Sequence, residues 1–417
     1  MSLPPGAVRP DYSGYNLSKV PWTVQSVLGV KGERPGLPSD ALGSVDTSGI
    51  ENVVLMLFDG LGYREWQRQS SGGFFGALSR RGNVRPITTV FPSTTSAALT
   101  TLSTGLTPQE HGLPEWYVYM RELDEVIVSL WFSRVGDRQR DTLKGVLSPR
   151  VLFDGRTIFQ RLKREGVGST TLANRVIANS VYSKVSRAGA DVVSFGSASD
   201  LTVSLRRLVE RARGRNYFYV YWSMVDSIEH AFGPNTDEAE VEASMISHAF
   251  EEGFLSKLGS DAARRTLVLV TADHGQVLSP PKEVVYTNRF RKMVDAFDRG
   301  PTGKPIPPWG SPRDSFLQIS KPLLDETQDH LAKKLDGVAT VLKTEDAMKE
   351  GLFGIGEVGS KFRRRVGNLM ILPNGTRAVW YKYDNEARFE HLGHHGGLTE
   401  DEMTIPLAAG RVSDLQR

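Results

Sequence analysis

The seven residues from Asn52 to Phe58, NVVLMLF, run with almost no polar interruption until Asp59-Gly60 stops them. A short apolar run bounded by turn residues predicts a strand buried on both faces. Asp191–Phe195 (DVVSF), Asn216–Trp222 (NYFYVYW) and Thr266–Thr271 (TLVLVT) repeat the pattern. Between them, residues 156–165, 198–213 and 238–258 space their apolar positions as amphipathic helices do. This alternation predicts an α/β fold, a mostly parallel central sheet with helices on both faces. In such sheets ligands gather beyond the carboxyl ends of the strands. Polar residues that directly follow a strand are therefore the first candidates for chemistry.

The rhythm changes after about Val277. Residues 297–315 are rich in proline, glycine and charge and read as a long loop. Strand-like 316–319, a helix over 326–335, strand-like 339–342 and a short helix near 345–351 follow. Strands 367–372 and 378–381 then flank the turn Pro373-Asn374-Gly375. This stretch predicts a small α+β module. The expected organisation is a core of residues 1–278 and 391–417, with residues 279–390 inserted as a cap. No internal repeat or low-complexity tract is visible.

Composition adds mainly exclusions. At 39% apolar and 24% charged, the 417-residue chain resembles ordinary soluble proteins, and a net charge of +3 gives no general attraction to nucleic acid. The basic run at 361–365, KFRRR, is read as a solvated face. The chain has no cysteine, so thiolate catalysis, thiolate metal sites and disulfides are all excluded. Any metal must rely on His, Asp, Glu and hydroxyl oxygen. The start, MSLPPGAV, lacks a signal-peptide layout, and no apolar stretch reaches the roughly 18–20 residues of a membrane helix. A soluble, cytoplasmic protein without membrane contact is expected, its oligomeric state open.

Four segments put metal-competent or hydroxyl side chains at predicted strand ends. Asp59 follows the first strand, where it could equally cap a helix. Residues 88–99, TTVFPSTTSAAL, set a hydroxyl cluster before a helix-forming stretch. The unpaired N–H groups there suit a phosphoryl oxygen, although a Ser/Thr cap explains the same residues. Asp226 and His230 stand four apart, on one face of a helical turn, a pattern that also arises by accident among eight histidines. Asp273-His274-Gly275 closes the strand Thr266–Thr271, and His394-His395-Gly396 adds imidazoles on a glycine-rich loop. Together these give three carboxylates (Asp59, Asp226, Asp273), three imidazoles (His230, His274, His395) and a hydroxyl. That set suits two divalent cations of mixed N/O ligation, zinc first and manganese second.

In this order the segments resemble the type I phosphodiesterase/nucleotide pyrophosphatase branch of the alkaline phosphatase superfamily. The resemblance rests on Asp59, the turn ending in Thr104-Gly105-Leu106 with Pro108 to Gly112, Asp226-xxx-His230-Ala-Phe-Gly-Pro234, Asp273-His274-Gly275 and His395-Gly396. It implies an alkaline phosphatase-like fold and a threonine nucleophile nine residues before Thr104, which is Thr95, with Thr94 next in line. It implies that Asp226, His230 and His395 hold one metal and that Asp59, Asp273 and His274 hold the other beside Thr95. His111 matches a structural position, and His394 is a candidate support for the ligands.

The implied activity is metal-dependent hydrolysis of phosphodiester or pyrophosphate bonds in a small, nucleotide-like phosphoester through a phosphothreonine. Alternatives are a phosphomonoesterase of the same superfamily and a non-catalytic protein that binds phosphate ligands. A monoesterase is expected to supply an extra Arg or Lys, and the sequence alone singles none out. One departure stands out: the family's phosphate-binding Asn, about 21 residues after the nucleophile, corresponds to Trp116. Trp116 and Tyr117 are then candidates for stacking on a nucleobase, or else pack under the cap.

Overall fold

The computed structural model describes residues 2–383 and 390–417. Its main sheet has seven strands in the spatial order Asn83–Thr88, Thr404–Arg411, Thr266–Thr271, Asn52–Phe58, Asn216–Trp222, Gly168–Asn174, Asp191–Phe195. Thr404–Arg411 runs antiparallel to both its neighbours, and the pairings among the last five strands are parallel. The α/β architecture expected from the alternating pattern is therefore present. All seven residues of Asn52–Phe58 are buried, as a central parallel strand requires. Asp191–Phe195 differs: it is the last strand of the sheet, and most of it is exposed, with Phe195 buried against Trp222 at its end.

Alternation along the strands sends side chains to two helical layers. Phe58 meets Phe75 and Phe250 at centroid distances of 5.1 and 5.7 Å, on the side of the helices Gly73–Arg81 and Asp237–Phe250. Tyr217 and Tyr219 meet Phe159 of the helix Ile158–Arg164 at 5.7 and 6.2 Å. That second layer includes the helix Thr95–Thr104, which packs on Ile158–Arg164 and Val181–Ser186.

A second sheet, also of seven strands, runs Ala339–Lys343, Leu369–Pro373, Asp314–Leu317, Trp309–Ser311, Tyr117–Met120, Glu125–Val128, Ser133–Arg134. Its first four strands come from the segment read as inserted. The other three come from residues 117–134, and Gly310 pairs with Tyr117 where the two contributions join. Leu369–Pro373 and Ala378–Trp380 do not make a hairpin. The first pairs with Asp314–Leu317 and Ala339–Lys343, the second with Val284–Tyr286. The turn between them redirects the chain instead of folding it back on itself.

The run 361–365 is not simply a solvated face. Phe362 is buried, and Arg365, also buried, donates to the carbonyls of Gly112, Leu152 and Val151. Lys361 pairs with Asp154 at 2.7 Å. The segment straps the second sheet to the loops beside the helix Thr95–Thr104.

Candidate active site

The main sheet delivers its polar residues at one edge. Asp59 leaves the strand Asn52–Phe58 with its N–H on Trp222 O at 2.9 Å, and its carbonyl takes the N–H of Asp226 at 3.0 Å. The two strand ends are thereby locked together. Gly60, with φ +79°, permits the contact, since a Cβ there would lie 2.8 Å from Asp226 Cα. Asp59 Oδ2 accepts from the Tyr221 hydroxyl, while Oδ1 is buried and has no hydrogen-bond partner among the described residues.

Asp273 is arranged the same way. Its Oδ1 takes the N–H groups of Gly60 at 3.1 Å and His274 at 3.0 Å, and its Oδ2 is buried without a hydrogen-bond partner among the described residues. The backbone behind it is fixed by the Thr89 hydroxyl, which donates to Asp273 O. Next to it, Gly275 packs so closely that a Cβ would meet Asp401 O at 2.1 Å.

On the helix Met224–Phe232, Asp226 Oδ1 lies 3.3 Å from His230 Nε2 and 3.7 Å from His395 Nε2. Both imidazoles turn Nδ1 onto a backbone carbonyl, His230 onto Gly393 O at 2.8 Å and His395 onto Ser93 O at 3.0 Å. Such a bond fixes the ring and leaves Nε2 as the ligand atom. His274 Nε2 stands 3.5 Å from Asp59 Oδ1 and 3.4 Å from Asp273 Oδ2. Its ring stacks on His395 with centroids 3.5 Å apart.

Two sets of potential ligand atoms result, Asp59/Asp273/His274 and Asp226/His274/His395, each with its atoms within 4.8 Å of one another. The first is the trio expected from the sequence. In the second, His274 is the close third member, while His230 reaches the cluster through Asp226. His274 therefore lies between both sets.

Electrostatics fits the two sets to cations. Burial, then the charges of Asp273 and Asp226, push the Asp59 carboxyl well above the ordinary carboxylate range. Burial is also the main reason that Asp226 is pushed up to about 7. Burial, then His274 and His230, pull His395 down, and burial pulls His230 down. Crowded carboxylates with unpartnered oxygens, facing neutral imidazoles, are what bound divalent metals satisfy.

The hydroxyl cluster resolves into distinct roles. Thr94 caps the helix Thr95–Thr104: its Oγ1 accepts from Ala97 N at 3.4 Å and donates to Pro114 O at 3.0 Å. Ser93 Oγ donates to Gly397 O at 2.8 Å. Thr95 opens the first turn, and its Oγ1 lies 3.1 Å from His274 Nε2.

The model of the type I phosphodiesterase / nucleotide pyrophosphatase family matches residues 53–398. The chain belongs to that family. No curated protein matches it by sequence. Among solved structures, mouse ectonucleotide pyrophosphatase/phosphodiesterase 5 is 18% identical with a TM-score of 0.64, over 86% of this chain and 87% of its own. An inactive threonine-to-alanine form of that mouse protein, in complex with AMP, gives the same identity and score over 87% and 92%. Phosphonoacetate hydrolase from Sinorhizobium meliloti 1021, in complex with phosphonoformate, is 18% identical with a TM-score of 0.61, over 86% and 89%. These likenesses establish the shared fold, and membership makes this chain a phosphodiesterase-family hydrolase.

Other residues of this family member lie around the cluster. Trp116 follows the turn after Pro114, its ring 6.3 Å from that of Trp131. Tyr117 belongs to the second sheet and packs against Trp380 and Tyr383 at 5.5 and 5.7 Å. His111 is buried, bonded to Thr101 Oγ1 and to the N–H of Leu113, each at 3.1 Å. His394 is buried beside the cluster, 6.3 Å from the His230 ring. His391, which the sequence left without a role, is closer, at 4.7 Å.

Sequence reasoning missed Tyr221 and Gln276, whose Nε2 donates to Asp226 Oδ1 at 2.6 Å. Gln276 directly follows Asp273-His274-Gly275, and that adjacency was the available signal. Tyr221 had none beyond its place near a strand end.

Metal removal should lower the melting temperature, and more so at about pH 8 than at about pH 5. Asp226 is held near 7 in the fold, against roughly 3.9 in an unfolded chain. The metal-free fold therefore keeps this group's full stability only below about pH 4 and loses it as pH rises through 7. Paired melts of zinc-loaded and chelated protein measure the gap. A gap that narrows with rising pH would contradict the crowding of these carboxylates.

Proposed function

We propose that the protein hydrolyses phosphodiester or pyrophosphate bonds in nucleotide-like substrates, using Thr95 as nucleophile and two divalent cations, zinc before manganese. The observation that carries this reading is the 3.1 Å approach of Thr95 Oγ1 to His274 Nε2, the imidazole between both ligand sets. Asp59, Asp273 and His274 would hold one cation, and Asp226, His230 and His395 the other. Bound there, the cations would favour the Thr95 alkoxide and offset charge on the attacking and leaving oxygens.

Thr95 Oγ then forms a bond to phosphorus as the bond to the leaving oxygen breaks, giving a phosphothreonine. Water attacks next, the P–Oγ bond breaks, and the threonine is restored. Two in-line displacements predict retention at phosphorus. Thr95 begins a helix, and the first-turn N–H groups that Thr94 does not take would be available to the reacting phosphoryl oxygens.

Zinc- and manganese-loaded protein should cleave bis-(p-nitrophenyl) phosphate faster than p-nitrophenyl phosphate, and chelated protein neither. A preference for the monoester would move the reading to a phosphomonoesterase. Inactivity on both esters with metal bound would reject it.

A further inference from the structure

A small polar cavity adjoins the metal cluster, and the proposed reaction makes no use of it. Its volume is 220 Å³, well above the roughly 10–15 Å³ that a single water needs. Gly60, next to Asp59, and Gln276, which donates to Asp226 Oδ1 at 2.6 Å, are part of its wall. Three carboxylates (Glu65, Glu229, Asp401) and two guanidiniums (Arg64, Arg68) supply its charge.

The charges do not balance. Arg68 is spent on Glu65, with Nη2 2.6 Å and Nε 3.0 Å from Oε2. Arg64 is spent on Asp401 and Glu400, each at 2.8 Å. Glu229 is the acid left over. The helix Met224–Phe232 buries two of its residues, Val225 and Glu229, and only the second is polar. Glu229 is 2% exposed, and its Oε2 is buried with no hydrogen-bond partner among the described residues. Gln276 Oε1 is buried and unpartnered in the same sense. A buried carboxylate without a partner is costly. Protonation would not remove the cost, because the acid's O–H would then need an acceptor of its own.

We propose that this cavity is a third cation site, which takes a hydrated divalent cation, magnesium before calcium, on the carboxylate of Glu229. The side chains around it offer oxygen and no imidazole, a donor set that suits a hard cation and not zinc. Among the described residues, the trios of His, Asp or Glu ligand atoms within 4.8 Å are the two of the candidate active site, so this cavity is no all-protein cage. Magnesium fits that condition, since it keeps several waters and commonly takes only one or two carboxylates. Those waters would donate to Glu229 and to Gln276 Oε1. The site stands apart from the reacting atoms, and the inference holds whatever the substrate is.

The test is calorimetric titration of magnesium chloride into zinc-loaded protein, with metal content measured before and after. Wild-type protein should take up one magnesium per chain with its zinc unchanged. Glu229→Gln, which keeps the shape and removes the charge, should weaken magnesium about tenfold or more. Melts give a second readout: magnesium should raise the melting temperature of zinc-loaded wild type and leave that of Glu229→Gln where it is. Without magnesium, Glu229→Gln should melt no lower than wild type, because it removes an uncompensated charge. Uptake equal in the two proteins, uptake only as zinc is lost, or no uptake by wild type would each overturn the site. A Glu229→Gln protein that fails to fold would overturn it too, by showing that the carboxylate already has a structural partner.

Discussion

Thr95→Ala is expected to lower kcat against bis-(p-nitrophenyl) phosphate by about a thousandfold or more, and Thr94→Ala by less than about tenfold. The two hydroxyls are neighbours in sequence but not in circumstance. Thr94 is held by Pro114 O and the N–H of Ala97 and spends its oxygen as a helix cap. Its loss should cost roughly 1 kcal/mol of stability. Thr95 Oγ1 faces His274, with no competing backbone bond among the described residues. Steady-state kinetics on both variants, with metal content checked, separates them. Activity that persists in Thr95→Ala and vanishes in Thr94→Ala would transfer the role.

A second large effect is expected away from the reacting atoms. Arg313 and Glu402 are both fully buried and paired through two bonds, Nε to Oε1 at 2.8 Å and Nη2 to Oε2 at 2.9 Å. Glu402 also takes the N–H of Gly397 at 3.0 Å and of Thr399 at 3.1 Å, so it ties down the loop that carries His395. Arg313 comes from the second sheet's turn between Trp309–Ser311 and Asp314–Leu317 and donates to the carbonyls of Gly375 and Arg377. One ion pair therefore joins the second sheet to the metal-cluster loop. Glu402→Gln should cost roughly 3–5 kcal/mol, because it leaves a buried guanidinium without its charge partner. The double replacement Arg313→Met/Glu402→Leu should cost less than either single change. Denaturant melts give the comparison, and single variants within about 1 kcal/mol of wild type would refute the account.

Much of the main sheet could be read from the chain, and the reasons for the exceptions are physical. Asn52–Phe58, Asn216–Trp222 and Thr266–Thr271 are buried central strands, so burial wrote them as apolar runs. Gly168–Asn174 carries GSTTLAN, and Asn83–Thr88 is a half-exposed edge strand, so neither shows such a run. Thr404–Arg411 is built partly from small residues and sets Pro406 opposite Pro86. Proline cannot donate to the ladder, which hides both strands from a pattern search. The joining of residues 117–134 to the later strands is a long-range pairing that local periodicity does not encode.

At the site, Asp59, Asp273 and His274 were legible because they sit at strand ends, and Asp226 and His230 because their spacing puts them on one face of a helix. Tyr221, Gln276 and Glu402 were not, because their roles depend on contacts made only in the fold.

The most direct test of the account is to trap the covalent step. Zinc-loaded protein mixed with bis-(p-nitrophenyl) phosphate, quenched in acid and digested with trypsin, should yield the peptide spanning residues 82–121 with a phosphoester on Thr95. The same peptide from Thr95→Ala protein should carry none. A modification on Thr94 or Ser93, or rapid turnover with no modified peptide at any time, would contradict Thr95 as the nucleophile.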